Sequence, residues 1–248
     1  MKISIDATTL RDALKAVSGL VDEVKLTIKT DGLSIIAMDK SNIAMVTLNL
    51  PKASAIEWET EATEEVDEIL SLTLAGLVSV LKRCEKTDIV TLISDGSKLN
   101  ITLTGGRKYK LPLLDIEDHD KQQKMPALTH KYSVVMNSAK LVNALEDCAI
   151  TSGDSVEFIG AKTSFVMRAE GDTKLSIAEV TMGGGDVKIE TEEVEVQCKF
   201  ALEYLNKMVL KLGTAVKIKI AKEYPLVLEY KADKFEVSFI LAPRVTND

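Results

Sequence analysis

The residues best equipped for chemistry in this chain are two histidines, three cysteines, a cluster of carboxylates and one run of glycines. His119 and His130 lie in or beside a polar stretch, with no serine or cysteine nucleophile motif around them. A catalytic triad needs a base held within reach of a nucleophile, and no such pair is apparent. Gly183-Gly184-Gly185-Asp186 suggests a phosphate cradle, but it lacks the Lys-Ser/Thr of a P-loop and precedes a strand-like run rather than a helix. It therefore reads as a loop. Asp115, Glu117, Asp118 and Asp120 could in principle bind a divalent cation, which keeps a metal-dependent enzyme as an alternative. They lack the glycine and terminal glutamate of an EF-hand loop, and a solvated linker is the favoured reading. Cys84, Cys148 and Cys198 are far apart, odd in number and never in a Cys-x-x-Cys pair. Neither a disulfide framework nor a zinc cluster is expected, and a reducing compartment follows. Asn100-Ile101-Thr102 matches the glycosylation pattern, a match that is idle inside a cell. The expectation is a protein that is not an enzyme and uses no cofactor and no metal.

What remains is positive charge. The chain sets 31 basic against 38 acidic residues, a net charge of −7, so any contact with nucleic acid must be local rather than spread over the surface. Aromatics at 4% leave little material for the stacking platforms that hold single strands. The basic residues recur on helical segments, and those segments repeat. A short amphipathic helix with a strand-like run ahead of it and three alternating strands behind it is written four times, at a period of roughly 62 to 66 residues. The predicted helices run from about Thr8 to Val21, Leu72 to Cys84, Ser138 to Ile150 and Phe200 to Leu212. On the first, Leu10, Leu14, Val17 and Val21 form a core face and leave Arg11, Lys15 and Ser18 on another. On the second, Leu74, Leu77, Val78 and Leu81 face the sheet, opposite Ser79, Lys82 and Lys86, with Arg83 alongside. The third offers Lys140 and Asn143 but also Glu146 and Asp147; the fourth offers Lys207 and Lys211 but begins with Glu203. A single lysine of this kind is an ordinary solvated residue. Repeated on four equivalent helices, they concentrate positive potential where it could neutralise phosphates without reading bases.

The strands behind the helices are VKLTIKT, GLSIIAM and IAMVTLNL; IVTLIS, LNITLT and KYKLPLL; SVEFIGA, SFVMRAE and KLSIAEV; AVKIKIA, LVLEYKA and FEVSFIL. Their connections are too short for parallel crossovers, so the fold class is α+β: two similar domains of duplicated helix-plus-antiparallel-sheet units. The expected domains are residues 1–114 and 132–248, joined by a connecting loop over 115–131. Asp115 to Pro126 carries no sustained apolar periodicity and reads as a tether, although Met125, Pro126 and Leu128 are apolar enough to lie against a surface. The opening MKISIDATTL alternates like a strand and lacks the apolar run of a signal peptide. No window approaches the roughly 20 apolar residues of a bilayer-spanning helix, and no membrane role is expected.

Several segments resemble the proliferating cell nuclear antigen clamps of archaea and eukaryotes, and the likeness runs from the first strand to the last. GLSIIAMDKSNIAMVTLNL at 32–50 is similar to that family's gly-x-x-x-x-x-met-asp-x-ser segment and the strand after it. LKRCEKTDIVTL looks like the clamp's second helix running into its strand, and YPLVLEYK and the closing LAPRV resemble two C-terminal signatures. The resemblance implies the DNA clamp fold: a ring of three two-domain subunits in which a strand at about Lys108 to Leu113 pairs with one at about Lys174 to Val180 of a neighbour. It implies a DNA channel lined by Arg11, Lys15, Lys82, Arg83, Lys86, Lys140, Lys207 and Lys211, loosely screening the phosphates of duplex DNA irrespective of sequence. It further implies a pocket for client peptides at Met38, Asn42, Ile43, Met45, Met125, Pro126, Leu128, Pro225, Ala242 and Pro243. There an aliphatic and two aromatic anchors would insert. The expected partners are duplex DNA, further copies of the chain as a ring trimer, a clamp loader, and DNA polymerase, ligase and flap nuclease. The expected setting is DNA replication and repair in the cytoplasm at the nucleoid, or in the nucleus of a eukaryote. Glu146, Glu203 and Asn42 depart from the family's usual residues, and a heterotrimeric or checkpoint-type clamp is the alternative.

Overall fold

A computed structural model describes residues 1–115, 124–171, 173, 175–192 and 195–244. The carboxylates of Glu117, Asp118 and Asp120, together with His119, Lys174 and Val245, lie outside the described residues. The chain divides into two compact units: Met1–Lys40, Val46–Met125 and Asp233–Val237 in the first, and Ser41–Met45, Pro126–Ala232 and Ser238–Asp248 in the second.

The first half of the chain runs β1 (Lys2–Asp6), α1 (Ala7–Ser18), β2 (Glu23–Ile28), β3 (Gly32–Met38), β4 (Ala44–Pro51), β5 (Ala55–Glu59), β6 (Glu68–Thr73), α2 (Leu74–Lys82), β7 (Ile89–Ser94), β8 (Lys98–Leu103) and β9 (Lys108–Pro112). One sheet has the order β5-β1-β7-β8-β9, and β4, β3, β2 and β6 lie side by side in another. Strand alternation decides which faces are covered: Val24, Leu26 and Ile28 of β2 and Leu99, Ile101 and Leu103 of β8 are buried, while Lys25, Thr27, Asn100 and Thr102 between them are not. Helix α1 starts where it does because the Asp6 carboxylate accepts from the Thr8 and Thr9 amides at 3.0 and 3.1 Å. The Thr8 hydroxyl, followed by those amides, holds the Asp6 carboxyl below the ordinary aspartate range despite partial burial. At the β7–β8 hairpin, the Asp95 carboxylate accepts from the Lys98 and Ser97 amides at 2.8 and 3.1 Å and from the Asn100 side chain at 3.2 Å. These bonds, the Lys98 amide foremost, lower its pKa to about 2. Gly96 follows at φ +88°, a left-handed conformation that favours glycine.

The second half runs β10 (Tyr132–Asn137), α3 (Ser138–Ala149), β11 (Ser155–Ala161), β12 (Ser164–Glu170), β13 (Ile177–Gly183), β14 (Lys188–Thr191), β15 (Glu195–Ala201), α4 (Leu202–Met208), β16 (Ala215–Ile220), β17 (Leu226–Lys231) and β18 (Glu236–Leu241). One sheet is β13-β12-β11-β15, and β14, β10, β16, β17 and β18 are neighbours in that order in another. Phe158 is the hub of the aromatic core, with Phe165 and Phe200 each packed edge-on at 5.4 Å. The buried Tyr132 ring lies flat against Gly160, where a Cβ would meet ring atoms at 2.4–2.7 Å. Cys84, Cys148 and Cys198 are free and buried, and burial pushes the Cys148 thiol up to about 11. The triple glycine ends β13 and turns through Gly184–Asp186 into β14, so no helix N-terminus stands behind it.

Each unit contains two copies of a strand-helix-strand-strand-strand motif, with β5 and β14 as additions, and the copies are cross-stitched. The first amide of α1 donates to Asp88 O ahead of β7, while the first amide of α2 donates to Asp22 O ahead of β2, at 2.9 and 2.8 Å. The second unit repeats this: the Ser138 amide bonds Thr214 O and the Leu202 amide bonds Asp154 O, both at 2.9 Å. Each bond satisfies a helix-start donor that has no partner within its own helix. Entry strands cross over as well, with β1 pairing β7 and β10 pairing β16.

Four sequence expectations need correction. Helix α1 ends at Ser18, not Val21. Helix α2 begins at Leu74, not Leu72, because Leu72 pairs with Val24 in β6. Helix α4 covers Leu202–Met208 rather than Phe200–Leu212: Phe200 and Ala201 belong to β15, and Val209 is already extended at φ −83°, ψ 121°. Helix α2 also ends at Lys82 rather than Cys84, so Lys86 lies beyond it, as Lys211 lies beyond α4. Strand β13 begins at Ile177, three residues later than the 174–180 expected. Both β9 and β13 stand at sheet edges.

Candidate functional site

In the first unit α1 and α2 lie against one another, and Leu10, Leu14 and Val17 of the one and Leu77, Val78 and Leu81 of the other are buried. The opposite faces carry the cations. Lys15 sits in the last turn of α1 and Lys82 in that of α2, where each complements the negative end of a helix dipole. Arg83 caps α2 at φ −91°, ψ −2°, and Lys86 follows in the next turn. All four are exposed, and among the described residues no ion pair engages any of them. Arg11 is half-buried and reaches Asp12 at 3.4 Å.

The corner after α2 is held by a residue that periodicity alone does not single out. Arg107, just past Gly105-Gly106, donates to the Arg83 carbonyl at 3.1 Å and to the Asp88 carboxylate at 2.6 Å. Asp88 is buried and also accepts from the Glu85 amide at 2.9 Å. A buried carboxylate satisfied by a guanidinium and an amide is a rigid bracket. It fixes the turn that presents Arg83 and Lys86.

The second unit presents its cations differently. Lys140 on α3 pairs with Asp186. Lys207 on α4 bonds Glu203 one turn earlier at 2.6 Å, and Lys211 reaches Glu146 of α3 at 2.9 Å. Every sequence-predicted cation of this unit is thus engaged by a carboxylate.

The residues expected to take client peptides divide between the units. In the second, the Ala242 amide donates to the Ile43 carbonyl at 2.9 Å, which brings the C-terminal segment onto the chain beside Asn42. Asn42 takes the left-handed φ of 57°, and the Ile43 side chain is 40% exposed. Pro225 is tied in by the ring of His130, whose Nε2 lies 2.7 Å from the Pro225 carbonyl and therefore donates to it. The same ring packs edge-on against Tyr224 at 5.2 Å. His130 thus packs between Pro225 and Tyr224 rather than beside a nucleophile. Pro243 and Leu128 are half-buried and Pro126 is exposed, whereas Met45 is buried at 5% and offers almost no surface. Met38, half-buried, and Met125, exposed, belong to the first unit. Among the described residues no cluster of His, Cys, Asp and Glu could hold a metal ion.

Residues 3–118 match the family model of the proliferating cell nuclear antigen N-terminal domain, and residues 124–245 match that of its C-terminal domain. The chain belongs to the proliferating cell nuclear antigen family. The first match covers the stitched pair built on α1 and α2, and the second covers the pair built on α3 and α4. A curated relative from Methanothrix thermoacetophila, named a DNA polymerase sliding clamp, is 35% identical over 252 residues and 100% of both chains. One of the same name from Pyrococcus furiosus is 33% identical over 235 residues, 92% of this chain and 91% of the relative. Among solved structures, the A. fulgidus PCNA bound to the C-terminal region of FEN-1 superposes with a TM-score of 0.89 at 24% identity, over 100% of this chain and 99% of that one. PCNA from Thermococcus kodakaraensis gives 0.88 at 24% identity, over 98% and 99%. Both likenesses are likenesses of fold.

Proposed function

We propose that this PCNA-family chain is a DNA sliding clamp, a ring subunit that encircles duplex DNA and tethers polymerase, ligase and flap nuclease to it during replication and repair. The observation that carries this reading is the fourfold motif in a chain of this family, with Lys15 and Lys82 on two helices engaged by no carboxylate among the described residues. Such a surface suits phosphates and reads no bases. The protein acts without catalysis, cofactor or metal, and retention on DNA comes from topology, so its phosphate contacts are weak enough to slide. Residues 1–114 and 132–248 are the two clamp domains, with 115–131 connecting them. The cytoplasm, at the nucleoid, is the corresponding location, and a clamp loader opens the ring. Strands β9 and β13 supply the free edges that pair between subunits. The reading is tested by light scattering and primer extension: a native mass near three 27.1 kDa chains and long products from a matching polymerase on circular primed DNA are expected. A protein that is loaded yet leaves product length unchanged is not a clamp.

The client pocket is assigned to Asn42, Ile43, Met45, Pro126, Leu128, Pro225, Ala242 and Pro243 of the second unit, with Ile43 as the exposed aliphatic floor. Ile43→Ser is expected to weaken a clamp-binding peptide by roughly tenfold, the loss of a buried aliphatic contact, with native mass unchanged. Calorimetric affinity equal to that of the unmodified protein would remove Ile43 from the pocket.

A further inference from the structure

The two helix pairs of one chain share a motif but differ in electrostatics. Helix α1 carries Arg11 and Lys15 against Asp12, and α2 ends on Lys82 with Arg83 behind it. Helix α3 carries Lys140 against Glu146 and Asp147, and α4 carries one Lys207 against one Glu203. Position matters more than number. Glu203 lies within 2.6 Å of Lys207, Glu146 within 2.9 Å of Lys211, and Asp186 bonds Lys140, whereas Lys15, Lys82, Arg83 and Lys86 have no such neighbour among the described residues.

We propose that in the second unit Glu146, Asp186 and Glu203 act as built-in phosphate surrogates, so that each chain grips duplex DNA through the α1–α2 pair alone. The inference rests on the sliding-clamp reading and deepens it. An exposed ion pair of this kind contributes little to stability, so it is no rigid lock. Its effect is on exchange. A phosphate approaching Lys207 must displace Glu203, and the freed carboxylate is then left beside a polyanion, so the exchange gains little. Counterion release rewards only cations that are not already neutralised. The second pair therefore faces DNA as a nearly neutral surface, which limits the number of simultaneous phosphate contacts and lowers the barrier to sliding.

The test is the triple variant Glu146→Gln, Asp186→Asn, Glu203→Gln, compared with the unmodified ring on a short linear duplex that threads without a loader. Dissociation constants are measured by fluorescence anisotropy over roughly 50 to 200 mM salt, the range in which phosphate contacts are resolved. The variant is expected to bind several-fold more tightly at the low end, with a log–log slope steeper by about 0.9 for each freed lysine in contact. Glu203→Gln alone, which alters only one turn of α4, is expected to steepen the slope by up to one such step. Slopes identical to the unmodified protein in both variants, with the native mass intact, would overturn the surrogate role. An unmodified ring that neither binds duplex at any salt nor confers processivity would instead overturn the clamp reading beneath it.

Discussion

Reversing both Lys82→Glu and Lys86→Glu is expected to weaken duplex affinity by on the order of tenfold or more at moderate salt, and to flatten its salt dependence. Lys82 closes α2 and Lys86 sits one turn further on, both exposed and neither held by a carboxylate among the described residues. Two reversals in each chain thus remove two available phosphate contacts and add two repulsions. The effect should shrink as salt rises past the point where the Debye length falls below about 10 Å. Assembly should survive, because the side chains that bury α2 are Leu74, Leu77, Val78, Val80 and Leu81. Equal affinity in low salt, with the native mass preserved, would exclude the end of α2 from the DNA contact. Arg107 separates charge from placement: it grips the Arg83 carbonyl and the buried Asp88, so it orients the corner that the reversal would recharge.

The second large effect concerns stability. Gly160→Ala is expected to cost about 3 kcal/mol, the scale of overpacking a close-packed interior, and to lower the melting midpoint by roughly 6 to 12 °C. Gly160 lies in β11 between Phe165 of β12 and Val196 of β15, where a strand would ordinarily carry a packing side chain. It carries none because the Tyr132 ring fills the notch, with ring atoms 2.4–2.7 Å from where a Cβ would stand. Tyr132 is 1% exposed and bonded through its hydroxyl to the Ser164 carbonyl at 3.3 Å, so the ring has nowhere to retreat. Pairing Gly160→Ala with Tyr132→Leu should recover part of the loss. A melting midpoint unaffected by Gly160→Ala would show that the ring does not fill this notch.

The motif and its four helices were legible because apolar periodicity changes from two to about three and a half at each strand-helix junction. Boundaries were less so. Leu72 is buried in β6 as it would be in a helix, and hydrophobicity alone cannot separate the two. Val209 and Leu210 extend the helical pattern of α4, but the chain turns extended there and the Leu210 amide goes to the Tyr230 hydroxyl at 3.4 Å. Electrostatics divided along the same line. The Glu203–Lys207 pair is four residues apart and could be read from spacing. Glu146 and Lys211 are 65 residues apart and meet only through the packing of the second unit, as Arg107 and Asp88 meet only through the first. Resemblance supplied the expected pocket positions, yet the contacts of His130 with Pro225 and Tyr224 appear only in the folded chain.

The exchanged amide bonds at the four helix starts bear on how the protein folds. A single copy of the motif leaves its helix without its first backbone acceptor, and without the sister copy β1 and β10 lose β7 and β16 and keep only the added β5 and β14 as partners. Neither copy is therefore a foldon. The smallest cooperative element is the interlocked pair, whose closure must bring Lys2 to Ile93 and Tyr132 to Ile220. Such distant partners give a high contact order and slow the search for the native state. Once closed, the slowest hydrogen exchange in each unit should spread over both of its copies, because neither can open without breaking the other's sheet.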